Sequence, residues 1–327
     1  MNTSSDIEGG INTRNTVTDV QHALSSLKSH FSKGKTLPVS VRKEALHRLH
    51  VVIRQRENDI ATALKSDLGK SAEEAYLTET AMVLREIRMQ MRHLGKWSKT
   101  KRVPTPFFLL PSSSRIVHQP LGVALIMAPW NYPLQMVVAP LAGAIAAGCC
   151  VLVKPSPDAP ATSALLQEII TAVFDPGHVC LLPGGIPLAQ ELLRHRFDVI
   201  FFTGSPAVGR IVMRAAAEHL TPVILELGGK SPCIVDDGAD IKVAARRIAW
   251  GKLLNAGQTC IAPDYLLVKE SLYRDFVQAL RKQFNELMGP NPEKNPHYAR
   301  IVDAGSMQRL KEMMPVSYTH LTLPTKA

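Results

Sequence analysis

The residue in this chain best suited to nucleophilic chemistry is Cys260, which stands in the sequence LNAGQTCIAPDY. A helical pattern from Ile241 to Leu254 leads into it, Gly257 precedes it by three positions, and a β-rich run from Tyr265 to Val268 follows it. A thiolate is a strong nucleophile near neutral pH, and a loop between two elements can expose it to a substrate. Most cysteines are nevertheless small buried hydrophobes, so the segment needs support from other residues.

Two polar residues upstream could assist a nucleophilic cysteine. Asn131 lies between two prolines in APWNYP, and its amide, held by a rigid turn, could donate a hydrogen bond to an oxyanion. Glu226 lies between two leucines in LELGGK, where burial without a partner would favour the protonated carboxyl and make it a usable general base. Each residue also has a structural interpretation, Asn131 as part of a proline-rich loop and Glu226 as a cap of the glycine turn.

Two further stretches could bind a nucleotide. In FFTGSPAVG, Ser205 is a suitable N-cap and Pro206 a suitable first residue for a helix whose N-terminus would face a pyrophosphate. In KPS, Lys154 could donate to adenosine ribose hydroxyls or contact a 2′-phosphate, or it could be a solvated lysine at a strand end. The spacing of Gly204 and Gly209 is neither the GxGxxG fingerprint nor a Walker A motif, so the glycines alone do not identify the site.

Composition excludes several classes of protein. A chain of 327 residues with 46% hydrophobic and 20% charged residues is typical of a globular protein of about two domains. The five cysteines form no regular framework and no zinc-ligand spacing, which favours a reducing compartment and no metal site. The polar start of the chain lacks a signal-peptide core, so we expect a cytoplasmic location.

Charge and hydropathy also bear on possible partners. The net charge is +10, but the basic stretch from Arg85 to Arg102 offers only Trp97 for stacking, so we expect no nucleic-acid partner. The uncharged run from Met136 to Val153 is about long enough to cross a bilayer. Its internal proline and glycines, and its β-branched end, instead predict a buried helix followed by a buried strand.

The elements fall into two patterns. Helical spacing predicts three structural helices, ending near Ser32, near Leu68 and after Leu94, with Ser71 as the N-cap of the third. After the loop Pro104 to Ser114, apolar strands alternate with helices, which predicts a parallel sheet covered on both faces. The predicted strands are Val123 to Met127, Cys150 to Val153, Val179 to Leu182, Val199 to Phe202 and Pro222 to Leu227. The candidate motifs upstream of Cys260 fall at carboxyl ends of such strands, where these sheets bind ligands.

Five motifs in order, APWNYP, KPS, FFTGS, LELGGK and GQTC, resemble those of the aldehyde dehydrogenase superfamily, and the later text MGPNPEKNPHYARIVDAGSMQRL is most similar to its class 3 branch. The resemblance implies an aldehyde-dehydrogenase-like α/β fold, with a parallel Rossmann-type sheet, N-terminal helices and an incomplete second catalytic domain. It implies an enzyme that oxidises a small-molecule aldehyde to a carboxylate with NAD or NADP, and a homodimer in the full-length form.

The resemblance also assigns roles to residues. Cys260 would be the nucleophile, Glu226 the general base, and Asn131 the oxyanion donor together with the Cys260 backbone N–H. The cofactor would contact a set of residues on the strand ends: Trp130, Lys154, Thr203, Gly204, Ser205 and Gly209. Pro157 stands where the family often has a glutamate, which leaves the choice between NAD and NADP open.

The chain is expected to divide into four parts. A disordered N-terminus (1–15) precedes an NAD(P)-binding domain (16–228), which contains the helices and an oligomerisation arm at His118 to Gly122. A partial catalytic domain (229–315) and a non-native tail (316–327) follow. The tail sequence VSYTHLTLPTKA matches nothing in the family, which is why we expect it to be non-native. The family continues well beyond the position where this chain ends, so the resemblance implies a C-terminally truncated sequence. Two alternatives stay open: an aldehyde dehydrogenase that passes its acyl group to coenzyme A, and an inactive nucleotide-binding fragment.

Overall fold

The computed structural model describes residues 13–319 of the chain. The N-terminal segment predicted to be disordered therefore lies outside the described residues, except for Thr13–Asn15, which begin the first helix. Most of the tail predicted to be non-native also lies outside them, and 316–319 form the end of the last helix.

Five helices precede the first strand, because the predicted second and third helices are each divided. The second divides at Arg56, whose φ of −97° and ψ of 20° are not helical. The third is interrupted by a π-helical turn, Tyr76–Thr80, although the Ser71 hydroxyl does accept from the Glu74 N–H as predicted. The N-terminal helices are α1 (Thr13–Ser32), α2 (Val39–Gln55), α3 (Glu57–Leu68), α4 (Ala72–Ala75) and α5 (Ala81–Trp97).

The π-helical turn changes which side chains face the core. Helical spacing predicts Leu77 on one apolar face of the third helix, together with Leu84 and Ile87, but Leu77 is 60% exposed. Because the turn inserts an extra residue, the buried positions in α4 and the turn are Glu74, Ala75, Glu79 and Thr80 instead.

A short hairpin that the sequence does not predict follows α5. Strand β1 (Lys101–Val103) pairs antiparallel with β2 (Ser114–Ile116). The segment expected to form an oligomerisation arm, His118 to Gly122, is irregular and lies after this hairpin.

The predicted parallel sheet is confirmed. Its five strands run in the order β5-β4-β3-β6-β7, and every pair is parallel. All residues of β3 and β4 are buried, as expected for central strands covered on both faces. The strands are β3 (Val123–Met127), β4 (Cys150–Lys154), β5 (Val179–Leu181), β6 (Val199–Thr203) and β7 (Val223–Glu226).

Helices cover both faces of this sheet and enclose two hydrophobic clusters. One cluster lies against α2, α3, α5, α6 and α7, and the other against α1, α8 and α9. The run from Met136 to Val153 forms most of α6 and β4, and no described helix is long and apolar enough to span a membrane. The connecting helices are α6 (Gln135–Ala147), α7 (Pro160–Val173), α8 (Ile186–Leu193) and α9 (Pro206–Ala217).

A second, smaller unit follows β7. Two parallel strands pack on helices around Val235, Ala245 and Phe276. Its elements are β8 (Ser231–Val235), α10 (Ile241–Leu253), β9 (Pro263–Val268), α11 (Tyr273–Met288) and α12 (Ala304–Thr319).

Candidate active site

The candidate residues upstream of Cys260 lie at one edge of the main sheet. The chain crosses from β3 to β4 on one side and later returns to β6 on the other, so the strand order reverses between β3 and β6. Ligands of open α/β sheets bind at this switch point, outside the carboxyl ends of the strands. Asn131 follows β3, Thr203 ends β6, and Glu226 ends β7.

The loop that carries Cys260 has an unusual backbone. After α10 comes a 3₁₀ turn, Leu254–Gly257, in which three consecutive residues have positive φ: 51° at Asn255, 53° at Ala256 and 77° at Gly257. Non-glycine residues rarely adopt this region, and strain of this kind concentrates at functional sites. The loop ends at Cys260, which is exposed.

Asn131 is in direct contact with this loop. Its Nδ2 donates to the carbonyl oxygen of Gln258 at 2.9 Å, two residues before Cys260. In return, Asn255 Nδ2 donates to the carbonyl oxygen of Asn131 at 2.7 Å. The neighbouring hydroxyls of Tyr132 and Thr259 are 2.5 Å apart, and burial raises the pKa of Tyr132 to about 12, so this phenol stays neutral. The sheet edge and the cysteine loop are thus held together by four side chains.

The turn that follows Glu226 contacts the cysteine loop. A Cβ on Gly229 would lie 2.3 Å from the carbonyl oxygen of Cys260, so the LELGGK turn packs directly on the backbone of the cysteine and only glycine fits there. The Gly204 N–H donates to the Glu226 carbonyl oxygen at 3.0 Å, which connects the turn to the end of β6.

The expectation that Glu226 is buried between two leucines is wrong. Its side chain is exposed, because β7 is the edge strand of the sheet and its residues alternate between half-buried and exposed. Water can therefore reach this carboxylate directly.

Three charged residues that sequence reasoning assigned no chemistry lie beneath this site. Lys70 and Glu79 form an ion pair of 2.6 Å with neither side chain exposed, and Lys70 Nζ also donates to the Asn131 carbonyl oxygen at 3.1 Å. Glu74 accepts from the Asn255 N–H at 2.6 Å, and burial raises the pKa of the Glu74 carboxyl. The available signal was spacing, since Glu79 lies four residues after Ala75 and four before Val83, on an otherwise apolar stripe.

The residues expected to hold a nicotinamide dinucleotide fit that group. The Ser205 side chain caps α9 by accepting from the Val208 N–H, and Pro206 is the first helical residue. A Cβ on Gly209 would meet Leu227 at 2.8 Å, so this glycine allows α9 to lie close to the sheet. The buried Thr203 hydroxyl has no hydrogen-bond partner among the described residues, which leaves it available to a ligand.

The two remaining predicted cofactor residues lie on the other side of the switch point. Trp130 is half-buried in the loop after β3, beside Asn131. Lys154 ends β4, opposite Met127, and burial lowers its pKa. Its Nζ donates to the adjacent Pro155 carbonyl oxygen at 3.1 Å, so a ribose would replace that contact.

The chain resembles proteins of known family along nearly its whole length. Residues 9–317 match the aldehyde dehydrogenase family. The 4,4'-diaponeurosporen-aldehyde dehydrogenase of Staphylococcus aureus is 46% identical over 287 residues, which cover 88% of this chain and 62% of that protein. A dog "Aldehyde dehydrogenase, dimeric NADP-preferring" is 41% identical over 295 residues, covering 90% of this chain and 65% of that protein.

The fold agrees with the sequence matches. A substrate-bound structure of Staphylococcus aureus AldH superposes with a TM-score of 0.88 at 44% identity and covers 92% of this chain and 66% of that one. Several other matched relatives are named as family 3 members, as the class 3 resemblance predicts. The chain spans less than two thirds of the length of these curated relatives. This chain belongs to the aldehyde dehydrogenase family.

Proposed function

We propose that this chain carries the active-site portion of an NAD(P)-dependent enzyme that oxidises a small-molecule aldehyde to a carboxylate. The observation that supports it most directly is the hydrogen bond of 2.9 Å from the Asn131 amide to the loop of Cys260. The packing of the turn after Glu226 on the Cys260 backbone supports the same proposal, because it joins the segment that carries the carboxylate to the segment that carries the thiol.

The chemistry begins at Cys260. Its thiolate adds to the aldehyde carbonyl carbon, and the oxygen becomes an oxyanion of a thiohemiacetal. The Asn131 amide has two hydrogens, one of which binds Gln258, and the second donates to the oxyanion together with the Cys260 N–H. One such donor lowers a barrier by about 3 kcal/mol.

The thiohemiacetal then loses a hydride and becomes a thioester on Cys260. A nicotinamide dinucleotide supplies the hydride acceptor when it is bound. Thr203, Gly204, Ser205 and Gly209 would hold its pyrophosphate at the N-terminus of α9, with the unpartnered Thr203 hydroxyl as one donor. Trp130 and Lys154 would contact the remainder from β3 and β4.

Glu226 completes the cycle by removing a proton from water, which attacks the thioester and releases the carboxylate and the Cys260 thiol. Its exposed position supports this role, because the water must reach both the carboxylate and the acylated sulfur.

We also propose that two domains meet at Gly228. The five-stranded sheet ends at Glu226 and a separate two-stranded sheet begins at Ser231, which supports a nucleotide-binding domain followed by part of a catalytic domain. The dog relative, by its name dimeric and NADP-preferring, supports a homodimer in the full-length form and admits NADP as well as NAD.

The first test replaces the nucleophile. Cys260→Ala removes the thiol on which both intermediates form, so it should abolish acylation by p-nitrophenyl acetate and NAD(P)H production from an aldehyde. Intact-protein mass spectrometry would show the acyl group on the unmodified chain and not on the variant. Cys233→Ala, which removes another incompletely buried thiol, should acylate normally. Acylation that persists at the normal rate in Cys260→Ala would remove Cys260 from the role.

The second test separates the two half-reactions. Glu226→Gln should acylate as fast as the unmodified chain but deacylate about 100-fold more slowly, because the base that activates water is lost. A stopped-flow burst of p-nitrophenol followed by a slow steady state is the expected trace. Glu218→Gln, at an exposed glutamate after α9, is the control. An unchanged steady state in Glu226→Gln means that another group is the base, and transfer of the acyl group to added coenzyme A would indicate a different acceptor.

A further inference from the structure

The buried ion pair of Lys70 and Glu79 needs an explanation. A buried pair loses more in desolvation than its attraction returns unless further hydrogen bonds satisfy both charges. The pair contacts no solvent, so its remaining hydrogen-bonding capacity must be met inside the protein.

Those hydrogen bonds go to one short segment, the loop after β3. Lys70 Nζ donates to the Asn131 carbonyl oxygen at 3.1 Å and lies 4.1 Å from the centre of the Tyr132 ring. Glu79 Oε2 accepts from the N–H groups of Leu134 and Gln135 at 2.8 and 3.2 Å, where α6 begins. The pair therefore holds the loop at two places, at its middle through Asn131 and at its end where α6 begins.

The segment between α3 and α5, which contains both residues of the pair, also holds the cysteine loop. Glu74, between Lys70 and Glu79 in sequence, accepts from the buried Asn255 N–H at 2.6 Å. Asn255 in turn donates to the Asn131 carbonyl oxygen, so that oxygen accepts from two side chains, one on each segment. Removing one donor would let the Asn131 peptide rotate and would move the side-chain amide attached to it.

We propose that the Lys70–Glu79 pair acts as a positioning device for the Asn131 amide, and so determines how well the site stabilises an oxyanion on a substrate bound to Cys260. The inference rests on the proposed function, since it assigns the pair a part in that reaction. Neither residue touches the reacting atoms, and both act through Asn131.

Two reactions of the same thiol separate positioning from simple structural support. Acyl transfer from p-nitrophenyl acetate passes through an oxyanion and needs the Asn131 donor. Alkylation by iodoacetamide displaces iodide from a saturated carbon, forms no oxyanion and needs only the thiolate. A misplaced donor slows the first reaction alone, whereas a disordered or unfolded loop alters both.

The experiment measures both rates at Cys260 in the full chain and in Lys70→Met, Glu79→Gln, Asn131→Ala and the double variant Lys70→Met/Asn131→Ala. Lys70→Met and Glu79→Gln should each slow acylation about tenfold or more and leave alkylation unchanged, because small displacements of a catalytic group have large effects. Once Asn131→Ala has removed the donor, adding Lys70→Met should cost nothing further. Lys65→Met, at an exposed lysine on α3, should match the unmodified chain in both reactions.

Several outcomes would overturn the inference. The first is a normal acylation rate in folded Lys70→Met, and the second is an alkylation rate that falls as much as the acylation rate. The third is that Lys70→Met slows acylation by the same factor in the Asn131→Ala background as in the unmodified chain. If circular dichroism shows that neither Lys70→Met nor Glu79→Gln folds, the pair is structural and the inference fails. An unmodified chain that is alkylated at Cys260 but never acylated would instead defeat the proposed function itself.

Discussion

At the scale of single residues, the cysteine loop shows how a fold can impose an unfavourable backbone. Asn255 and Ala256 both adopt left-handed conformations, at φ of 51° and 53°. Asparagine tolerates this region comparatively well, but alanine pays about 1–2 kcal/mol for it. Asn255 donates hydrogen bonds to Glu74 and to the Asn131 carbonyl oxygen, and these hold the backbone in place. The hydrogen bonds of Asn255 thus offset the conformational free-energy cost at the adjacent Ala256.

Ala256→Gly should therefore stabilise the protein, by up to about 1 kcal/mol, because glycine removes the steric cost while adding a smaller loss of backbone entropy. Urea denaturation gives the free energy of unfolding. Ala164→Gly is the matched control, since Ala164 is exposed within α7 and glycine there should cost about 1 kcal/mol. Equal destabilisation by both substitutions would show that Ala256 bears no strain.

Prediction from sequence succeeds at this scale where a residue type carries its own chemistry. Cys260 and Asn131 stand out by residue type and by their neighbours, a glycine before Cys260 and a proline on each side of Asn131. In the structure they lie on two loops that contact each other. Lys70 and Glu79 do not stand out by type, because lysine and glutamate are normally exposed. Only the apolar neighbours of Glu79 at four-residue spacing indicate that its side chain is buried. Glu79 lies in the π-helical turn, which depends on tertiary packing, and Lys70 lies in the link between α3 and α4.

At the scale of elements, Arg42 shows how two helices are joined. It lies on α2 and is almost wholly buried, and its guanidinium donates to the carbonyl oxygens of Thr36 and Leu37 before α2 and of Ala146 and Ala147 at the end of α6. The last carbonyl groups of a helix lack intrahelical partners and favour a cation. The Arg42 side chain thus supplies hydrogen bonds to carbonyl groups at the end of α6, the helix that begins beside the Asn131 loop.

Arg42→Lys should cost about 2–3 kcal/mol of stability, because an ammonium cannot reach all four carbonyl groups and leaves some of them buried without a partner. The shift of the urea midpoint at constant slope measures it. Arg54→Lys, at an exposed arginine on the same helix, should be nearly neutral. A loss for Arg42→Lys as small as that of Arg54→Lys would mean that the joint contributes little.

The elements themselves were largely predictable. The central strand Val123–Met127 agrees with its prediction at both ends, because its apolar run is bounded by glycine and proline. The hairpin of β1 and β2 was not predicted, because three-residue strands are too short to show an alternating pattern. The break at Arg56 was also missed, since no glycine or proline marks it.

At the scale of the whole molecule, one buried histidine should make global stability depend on pH. His178 precedes β5 and is 6% exposed, and its Nε2 has no hydrogen-bond partner among the described residues. The ring stacks on His30 with centroids 5.7 Å apart and meets the edge of Phe174. Burial, reinforced by His30 and Arg48 and opposed by Asp175, lowers the pKa of His178 to about 4.

The direction of the effect follows from linkage. Between the unfolded value of 6.5 and the folded value of about 4, the unfolded chain binds a proton at this position and the folded chain does not. The stability of the protein is therefore intact above pH 6.5 and falls as the pH decreases toward 4, by roughly 3 kcal/mol at most from this residue.

His178→Gln should flatten this part of the stability profile, because glutamine fills a similar volume and does not titrate. The free energy of unfolding, measured in urea at pH 7 and at pH 5, gives the slope of stability against pH. Both proteins contain the same carboxylates, so the difference between their slopes reports His178 alone. His22→Gln, at an exposed histidine of α1, should leave the slope unchanged. If His178→Gln and the unmodified chain lose stability in parallel, the buried ring is not the group that senses pH, and the acid lability must originate in the carboxylates.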